Sequence, residues 1–268
     1  MAIDIILVGA LGRMGAEIAD VVFSDNAVKL RACVEYAGHP KVGEDYGVCI
    51  GRGPIGVFLK DSITDIDFTG AVTIDFSSPQ STRSLLQSAE DKGMKLVVGT
   101  TGLSESDLEL ARTVSRKVPV IVSPNMSVGV NLLFSITQLV ASRLKDEFDI
   151  EIIEAHHRFK KDSPSGTAKK LGEIVSEEIG LSYDQAIVNG RNGISAESRS
   201  RTEVGMHAVR GGDIVGDHTV LFAGLGERIE LRHMAHSRNT FARGAVTTAK
   251  WLHGREAGFY SMKDVLGV

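Results

Sequence analysis

The apolar run Ile3–Val8 passes directly into Gly9-Ala10-Leu11-Gly12-Arg13-Met14-Gly15, and a helical stretch over residues 16–23 follows. Strand, glycine loop and helix in that order leave few folds open. Glycines let a backbone approach a pyrophosphate closely, and the start of a helix supplies N–H groups and the positive end of its dipole. The next β-rich run, residues 30–34, ends in Glu35, 20 residues beyond Gly15. An acidic side chain there would accept hydrogen bonds from an adenosine ribose. The spacing G-x-x-G-x-x-G differs from the commoner G-x-G-x-x-G, and glycine turns occur in many α/β proteins. It is the preceding strand, the following helix and Glu35 taken together that point to dinucleotide binding.

The pattern continues after a glycine-spotted segment, residues 43–56, that has little periodicity. A buried-type strand at 71–76 ends in Ser77-Ser78-Pro79, and a helix at 80–92 leads to a strand at 94–98 and the loop Gly99-Thr100-Thr101-Gly102. A helix at 104–116 then leads to the strand Pro119–Val122 and to Ser123-Pro124-Asn125-Met126. Strands alternating with helices imply a parallel sheet with right-handed crossovers, whose ligands sit at the carboxyl ends of the strands. Each of these strand-end groups alone is an ordinary turn. Together they should line the cofactor.

Composition removes other classes. The 268 residues are 43% hydrophobic and 24% charged, with a net charge of -4, which describes a soluble globular protein of one large or two modest domains. No run approaches the roughly 18 apolar residues of a membrane span, and the N-terminus lacks a signal peptide's basic start and cleavage site. A cytoplasmic location is expected, with no membrane partner. Lysines and arginines are scattered among acids, so no basic stripe offers itself to nucleic acid. Cys33 and Cys49 form no C-x-x-C and have no metal-like histidine spacing, which fits reduced thiols and no metal site.

In the second half, a helix opens at residues 127–131 and continues to about 144, and a strand at 149–154 begins a new unit. Residues 189–193 and 198–201 read as exposed loops. Residues 202–212 and 213–223 alternate around Gly211-Gly212-Asp213, which suggests a hairpin, and 227–236 alternates as a strand with one wet face. A mixed or antiparallel sheet follows, whose open face self-association would cover. Residues 239–253 read as a helix, and the tail 259–268 is apolar enough to pack back on the nucleotide domain.

The densest chemistry lies in Glu154-Ala155-His156-His157-Arg158-Phe159-Lys160-Lys161-Asp162-Ser163-Pro164-Ser165-Gly166-Thr167-Ala168. It joins the strand at 149–154 to a helix over 169–179 whose Leu171, Ile174, Val175 and Ile179 recur at helical spacing. His-His and Lys-Lys pairs are common decoration on solvated loops. Here unlike functional groups crowd a strand end facing helix-start signals, with Ser165 as a cap rather than a nucleophile. That layout suits holding a carboxylate and moving a proton beside it.

With these motifs, the chain resembles the 4-hydroxy-tetrahydrodipicolinate reductase (dihydrodipicolinate reductase) family nearly end to end. The likeness rests on E-x-H-H-x-x-K-x-D-x-P-S-G-T-A at 154–168, the glycine loop 9–15, Gly99-Thr100-Thr101-Gly102 and Asn125-Met126-Ser127-Val128-Gly129-Val130-Asn131. Ser163 stands where alanine is usual, and Tyr36 follows Glu35 where some members carry arginine. The resemblance implies an α/β fold with a Rossmann-like parallel-sheet nucleotide domain, residues 1–127 and 238–268, and an α+β substrate and oligomerisation domain with a mixed open sheet, residues 128–237. It implies His156 as acid/base, Lys160 as proton donor, His157 as a substrate contact, and Gly166 and Thr167 as anchors for a carboxylate. NADH or NADPH would lie on Gly9, Ala10, Leu11, Gly12, Arg13, Met14, Glu35, Gly99, Thr100, Thr101, Ser123, Pro124, Asn125 and Met126. It further implies a dicarboxylate substrate, a homotetramer, and domain closure. Glu35 followed by Tyr36 favours NADH at least as much as NADPH, because the acid repels a 2′-phosphate unless a folded-back Lys41, a protonated His39 or Arg13 of the glycine loop compensates it. Two rivals stay open: a nicotinamide-dependent enzyme acting on another small imine or amino acid, and a non-catalytic dinucleotide sensor.

Overall fold

A computed structural model describes residues 2–268. In chain order, β1 (Ile3–Val8), α1 (Arg13–Ser24), β2 (Val28–Val34), the short α2 (Tyr46–Cys49), β3 (Leu59–Lys60), β4 (Ala71–Asp75), α3 (Pro79–Lys92), β5 (Lys95–Val98), α4 (Glu105–Val114) and β6 (Pro119–Val122) build the first part of the chain. There follow α5 (Val128–Leu144), β7 (Asp149–His156), α6 (Gly166–Ile179), α7 (Tyr183–Ala186), β8 (Ile187–Asn189), β9 (Val204–Arg210), β10 (Gly216–Ala223) and β11 (Arg228–Ala235). Last come α8 (Asn239–His253), β12 (Gly258–Tyr260) and α9 (Met262–Leu266). Two compact units result, residues 2–128 with 238–267 and residues 129–237.

The first unit is a seven-stranded parallel sheet in the order β12-β6-β5-β4-β1-β2-β3. Its chain order reverses beside β1, as in dinucleotide-binding folds. Both faces are covered, so strands read as continuous apolar runs and neighbouring residues go to opposite layers. Ile5, Leu7, Val72, Ile74, Val97 and Ile121 pack with residues of α1 and α8, while Ile6, Val8, Leu96, Val98 and Val120 pack with α3 and α4. Local signals set the helix ends. Ser78 caps α3, with Pro79 in its first turn and Gly93 at φ 62° closing it, and Ser104 and Asp107 form a capping box on α4.

The helix after the glycine loop starts at Arg13, not at residue 16. Gly15 therefore lies inside α1. A Cβ there would sit 2.3 Å from Gly9 O and 2.4 Å from Ala10 O, so the helix needs glycine to rest against its own loop. The glycine-spotted segment 43–56 also has more order than its composition suggests. Asp45 caps α2 by accepting from the N–H groups of Gly47 and Val48, and it ties down Ile55 and Gly56 as well.

The second unit is a five-stranded mixed sheet, β11-β10-β7-β9-β8. The hairpin expected from residues 202–223 does not form. β7 lies between β9, to which it is parallel, and β10, to which it is antiparallel. The Gly211-Gly212 connection instead crosses the end of β7, where Gly211 N–H donates to His156 O at 2.9 Å and Arg158 N–H to Gly212 O at 3.2 Å. Alternation and a glycine turn specify two strands and a tight connection but not which strand lies between them. Ile150, Ile152, Val204, Met206, Val220 and Phe222 meet Leu133, Leu171 and Val175 of α5 and α6. On the other face Ile153, Val209 and Met234 remain 39%, 49% and 45% exposed. The short α7 and β8 carry no periodic signal in the sequence.

Candidate active site

Strand register builds the chemistry of the second unit. Glu154 on β7 pairs with Ala208 of β9 and His218 of β10, and His218 pairs with His233 of β11. One step further along the sheet His156 pairs with Arg210. Gly216 lies beside His156, because a Cβ on Gly216 would come within 3.0 Å of His156 Nε2. The missing side chain gives the imidazole its room. Residues 154 and 156 share a face by the two-residue period of a strand.

Glu154 is completely buried. Its Oε1 accepts from Arg210 Nη2 at 2.8 Å and Ser165 N–H at 3.1 Å; its Oε2 accepts from Arg210 Nη1 at 2.8 Å and lies 2.6 Å from His156 Nδ1. Burial pushes the carboxyl up, but Arg210, His156 and the Ser165 amide outweigh it and hold Glu154 below the usual glutamate value. Ser165 caps α6 through Ala168 N–H, and its hydroxyl lies 3.1 Å from His218 Nε2. His218 is pushed down to about 3, first by burial and then by His156, so it is a neutral wall of the site. Its ring meets that of His156 edge-on with centroids 5.1 Å apart.

The other expected residues of this unit are also placed. Lys160 pairs with Asp162 at 2.8 Å. His157 Nδ1 is buried with no hydrogen-bond partner among the described residues, an open position for a polar ligand atom. A Cβ on Gly166 would meet nothing within 4 Å, so the first turn of α6 presents bare backbone at this point. The sequence presents Glu154 only as part of the motif, and no local signal marks Arg210, His218 or Gly216. They lie more than fifty positions downstream in strands whose neighbours the sequence does not name.

In the first unit, a cavity of about 680 Å³ is lined by residues that include Gly9, Gly12, Glu35, Tyr36, Asp61 and Ser77. Gly9 has φ +74°, and a Cβ there would lie 2.4 Å from Phe76 O; only glycine fits that turn. Glu35 Oε2 accepts from Leu11 N–H at 2.9 Å and its Oε1 from Tyr36 N–H at 3.1 Å, which fixes the acid in the cavity wall. Bare loop backbone, a helix start and an acceptor at the end of β2 fit a dinucleotide.

The remaining residues expected around the cofactor divide by role. Ala10, Met14 and Met126 belong to the core. Thr100 hydroxyl is committed to Asp75 Oδ2 at 3.2 Å and accepts from Ser77 N–H at 3.0 Å. Asp75, buried and pushed up by that burial, also accepts from Ser77 and Thr82 hydroxyls at 2.5 Å each, so it braces the ends of β4 and β5. Ser123 hydroxyl donates to Asn125 O at 2.8 Å, closing the loop after β6. Arg13, Thr101 and Pro124 are exposed. The wall residues Asp61, Ser62, Ile63, Gln80, Ser81 and Ser84 had no motif to announce them.

A dinucleotide-binding unit joined to one that carries a carboxylate–imidazole pair defines the class: a two-domain, dinucleotide-dependent oxidoreductase. Residues 3–126 match the family model described as dihydrodipicolinate reductase, N-terminus, and residues 129–266 the one described as its C-terminus. The chain belongs to the dihydrodipicolinate reductase family. It is 47% identical over 264 residues to the 4-hydroxy-tetrahydrodipicolinate reductase of Hahella chejuensis, covering 98% of each chain. It is 45% identical over 266 residues to that of Citrifermentans bemidjiense, covering 99% of each. Among solved structures, the dipicolinate-bound dihydrodipicolinate reductase of Paenisporosarcina sp. TG-14 shares its fold, with a TM-score of 0.77 at 24% identity over 97% of this chain and 98% of that one. An amine dehydrogenase from Mycobacterium smegmatis, at 12% identity, has a TM-score of 0.57 over 98% of this chain and 95% of its own. Fold alone therefore does not separate reductase from amine dehydrogenase.

Proposed function

We propose that the protein reduces 4-hydroxy-tetrahydrodipicolinate to tetrahydrodipicolinate with NADH or NADPH, a step of lysine and diaminopimelate biosynthesis. The observation that carries this reading is the Glu154–His156 pair at the end of β7, set beside the bare first turn of α6, in a chain related end to end to reductases of that name. The nicotinamide, when bound, supplies the hydride that no side chain can. Exchange of a ring hydroxyl for hydrogen with one hydride and one proton releases one water, so the protein must hold and deliver a proton.

His156 and Lys160 are the groups suited to that role, with Lys160 the proton donor. His157 Nδ1, Gly166 N–H and Thr167 would hold a substrate carboxylate against the positive start of α6. Gly9 to Met14, Glu35, Gly99 to Thr101 and Ser123 to Met126 would hold the dinucleotide. A homotetramer, with the half-exposed sheet face of the second unit covered by another copy, accounts for Ile153, Val209 and Met234. Among the described residues no helix is long and apolar enough to cross a membrane; we place the enzyme in the cytoplasm with its pathway.

The test follows nicotinamide absorbance with NADH, with and without freshly generated 4-hydroxy-tetrahydrodipicolinate. Oxidation that depends on this substrate is expected. NADH oxidation with another imine in its place, or NAD+ reduction with an amino acid, would favour the rival dehydrogenase, and no turnover at all would favour the sensor. His156→Gln and Lys160→Ala should each lower kcat by roughly two to four orders of magnitude with NADH binding retained; near-normal turnover removes that residue from the chemistry.

A further inference from the structure

We propose that Glu154, clamped by Arg210, is a positioning residue that keeps the proton of the neutral His156 ring on Nδ1 and so leaves Nε2 as the nitrogen that exchanges a proton with substrate. This rests on the reading of His156 as the acid/base group. An ionised carboxylate only accepts hydrogen bonds, so the hydrogen in the 2.6 Å contact between Glu154 Oε2 and His156 Nδ1 belongs to the imidazole. The carboxylate cannot turn away. Two arms of Arg210 and the Ser165 amide occupy its remaining acceptor positions, and Glu154 itself is sealed from water.

Every neighbour supports the same tautomer. Gly216 leaves space along Nε2, and among the described residues Nε2 makes no hydrogen bond. Facing the ring are Glu154 from β7, Arg210 from the end of β9, and His218 from β10, the last kept neutral by burial. The loop beyond adds the Lys160–Asp162 pair. Glu154 with Arg210 is net neutral, and Lys160 with Asp162 is net neutral. Among the described residues, Glu154 Oε2 is the one hydrogen-bond partner of His156 Nδ1.

Replacing Glu154 by Gln makes the claim sharp. Two donors, Arg210 Nη2 and Ser165 N–H, converge where Oε1 stands, against one, Arg210 Nη1, at Oε2, so the glutamine oxygen takes the Oε1 place and its NH2 faces His156 Nδ1. The ring must then accept at Nδ1 and carry its proton on Nε2, the wrong tautomer for a nitrogen that must be free to take up the proton it then delivers to substrate. The experiment is nitrogen NMR of histidine-labelled protein at pH 9, where imidazoles are neutral, with the His156 signals among the eight histidines identified by their loss in His156→Gln. Wild type should show Nδ1–H at His156 and Glu154→Gln should show Nε2–H, with kcat lower by roughly 10²–10⁴-fold and NADH Kd within about twofold of wild type. A wild-type ring protonated on Nε2 overturns the proposal, as does a folded Glu154→Gln protein whose kcat is unchanged. The wild-type spectrum decides even when the variant fails to fold. A chain that shows Nδ1–H but does not reduce the substrate would refute the proposed function and leave the tautomer assignment standing.

Discussion

Tyr46→Phe isolates one hydrogen bond that shapes the glycine loop. Tyr46 is fully buried, and its hydroxyl donates to Ala10 O at 2.8 Å, a carbonyl in the middle of the loop between Gly9 and Gly12. Burial pushes the phenol well up, so it is a protonated donor at all working pH values. Phenylalanine keeps the ring and its packing and removes only the donor. Leaving a buried acceptor short of a partner costs about 1–3 kcal/mol. At about 2–4 °C per kcal/mol for a domain of this size, the thermal midpoint should fall by roughly 2–12 °C. Tyr46→Ala adds a cavity and should cost about 3–5 kcal/mol, so the two variants separate hydrogen bond from volume. With the Ala10 peptide released, NADH Kd should rise by roughly 3–10-fold, about 1 kcal/mol, in a fluorescence titration. A Tyr46→Phe protein that melts within a degree of wild type and binds NADH equally well would show that ring packing alone holds the loop.

Three further outcomes are expected. Gly166→Leu should raise KM for substrate at least tenfold, about 1.4 kcal/mol, and leave NADH affinity intact, since the open space before Gly166 would be filled; an unchanged KM in steady-state assays places the carboxylate elsewhere. NADH should serve at least as well as NADPH, because Lys41 is committed to Cys49 O at 3.0 Å and Tyr36 offers no charge. Tyr36→Arg should move the ratio of kcat/KM values toward NADPH by about 1–2 kcal/mol, and a strong wild-type preference for NADPH would refute this reading of Glu35 and Tyr36. His218 titrates near 3 when folded and near 6.5 when unfolded, so the unfolded chain binds the extra proton between these values. Its contribution to stability is complete above about pH 6.5 and is lost as pH falls toward 3, at up to about 1.4 kcal/mol per pH unit. Glu154, also held low, adds a loss in the same direction below the carboxylate range. Urea unfolding between pH 7 and 4 should show a shallower loss in His218→Gln than in wild type, and identical slopes would refute it.

What the sequence determined by itself is local or repeats along the chain. Strands buried on both faces must be nearly continuous apolar runs, so Ile3–Val8 and Pro119–Val122 were legible to the residue, and helix 239–253 followed from its periodicity. The chemistry of residues 154–168 was legible because a strand end and a helix start lie within fifteen positions. Tertiary structure decided whatever depends on which strands are neighbours. Residues 204–210 and 216–223 carry every local mark of a hairpin, yet β7 lies between them. That insertion is what sets Arg210 on one side of Glu154 and His218 on the other. Gly15 read as a loop residue and became part of α1, because its want of a side chain serves close packing on the carbonyls of residues 9 and 10. Tyr46 lay in a segment with no period and became the buttress of the loop it touches 36 positions away. Periodicity records which face of an element is buried. It does not record what lies across the hydrogen bonds, and at this site the neighbours on β9 and β10 supply the groups that hold Glu154 and make room for His156.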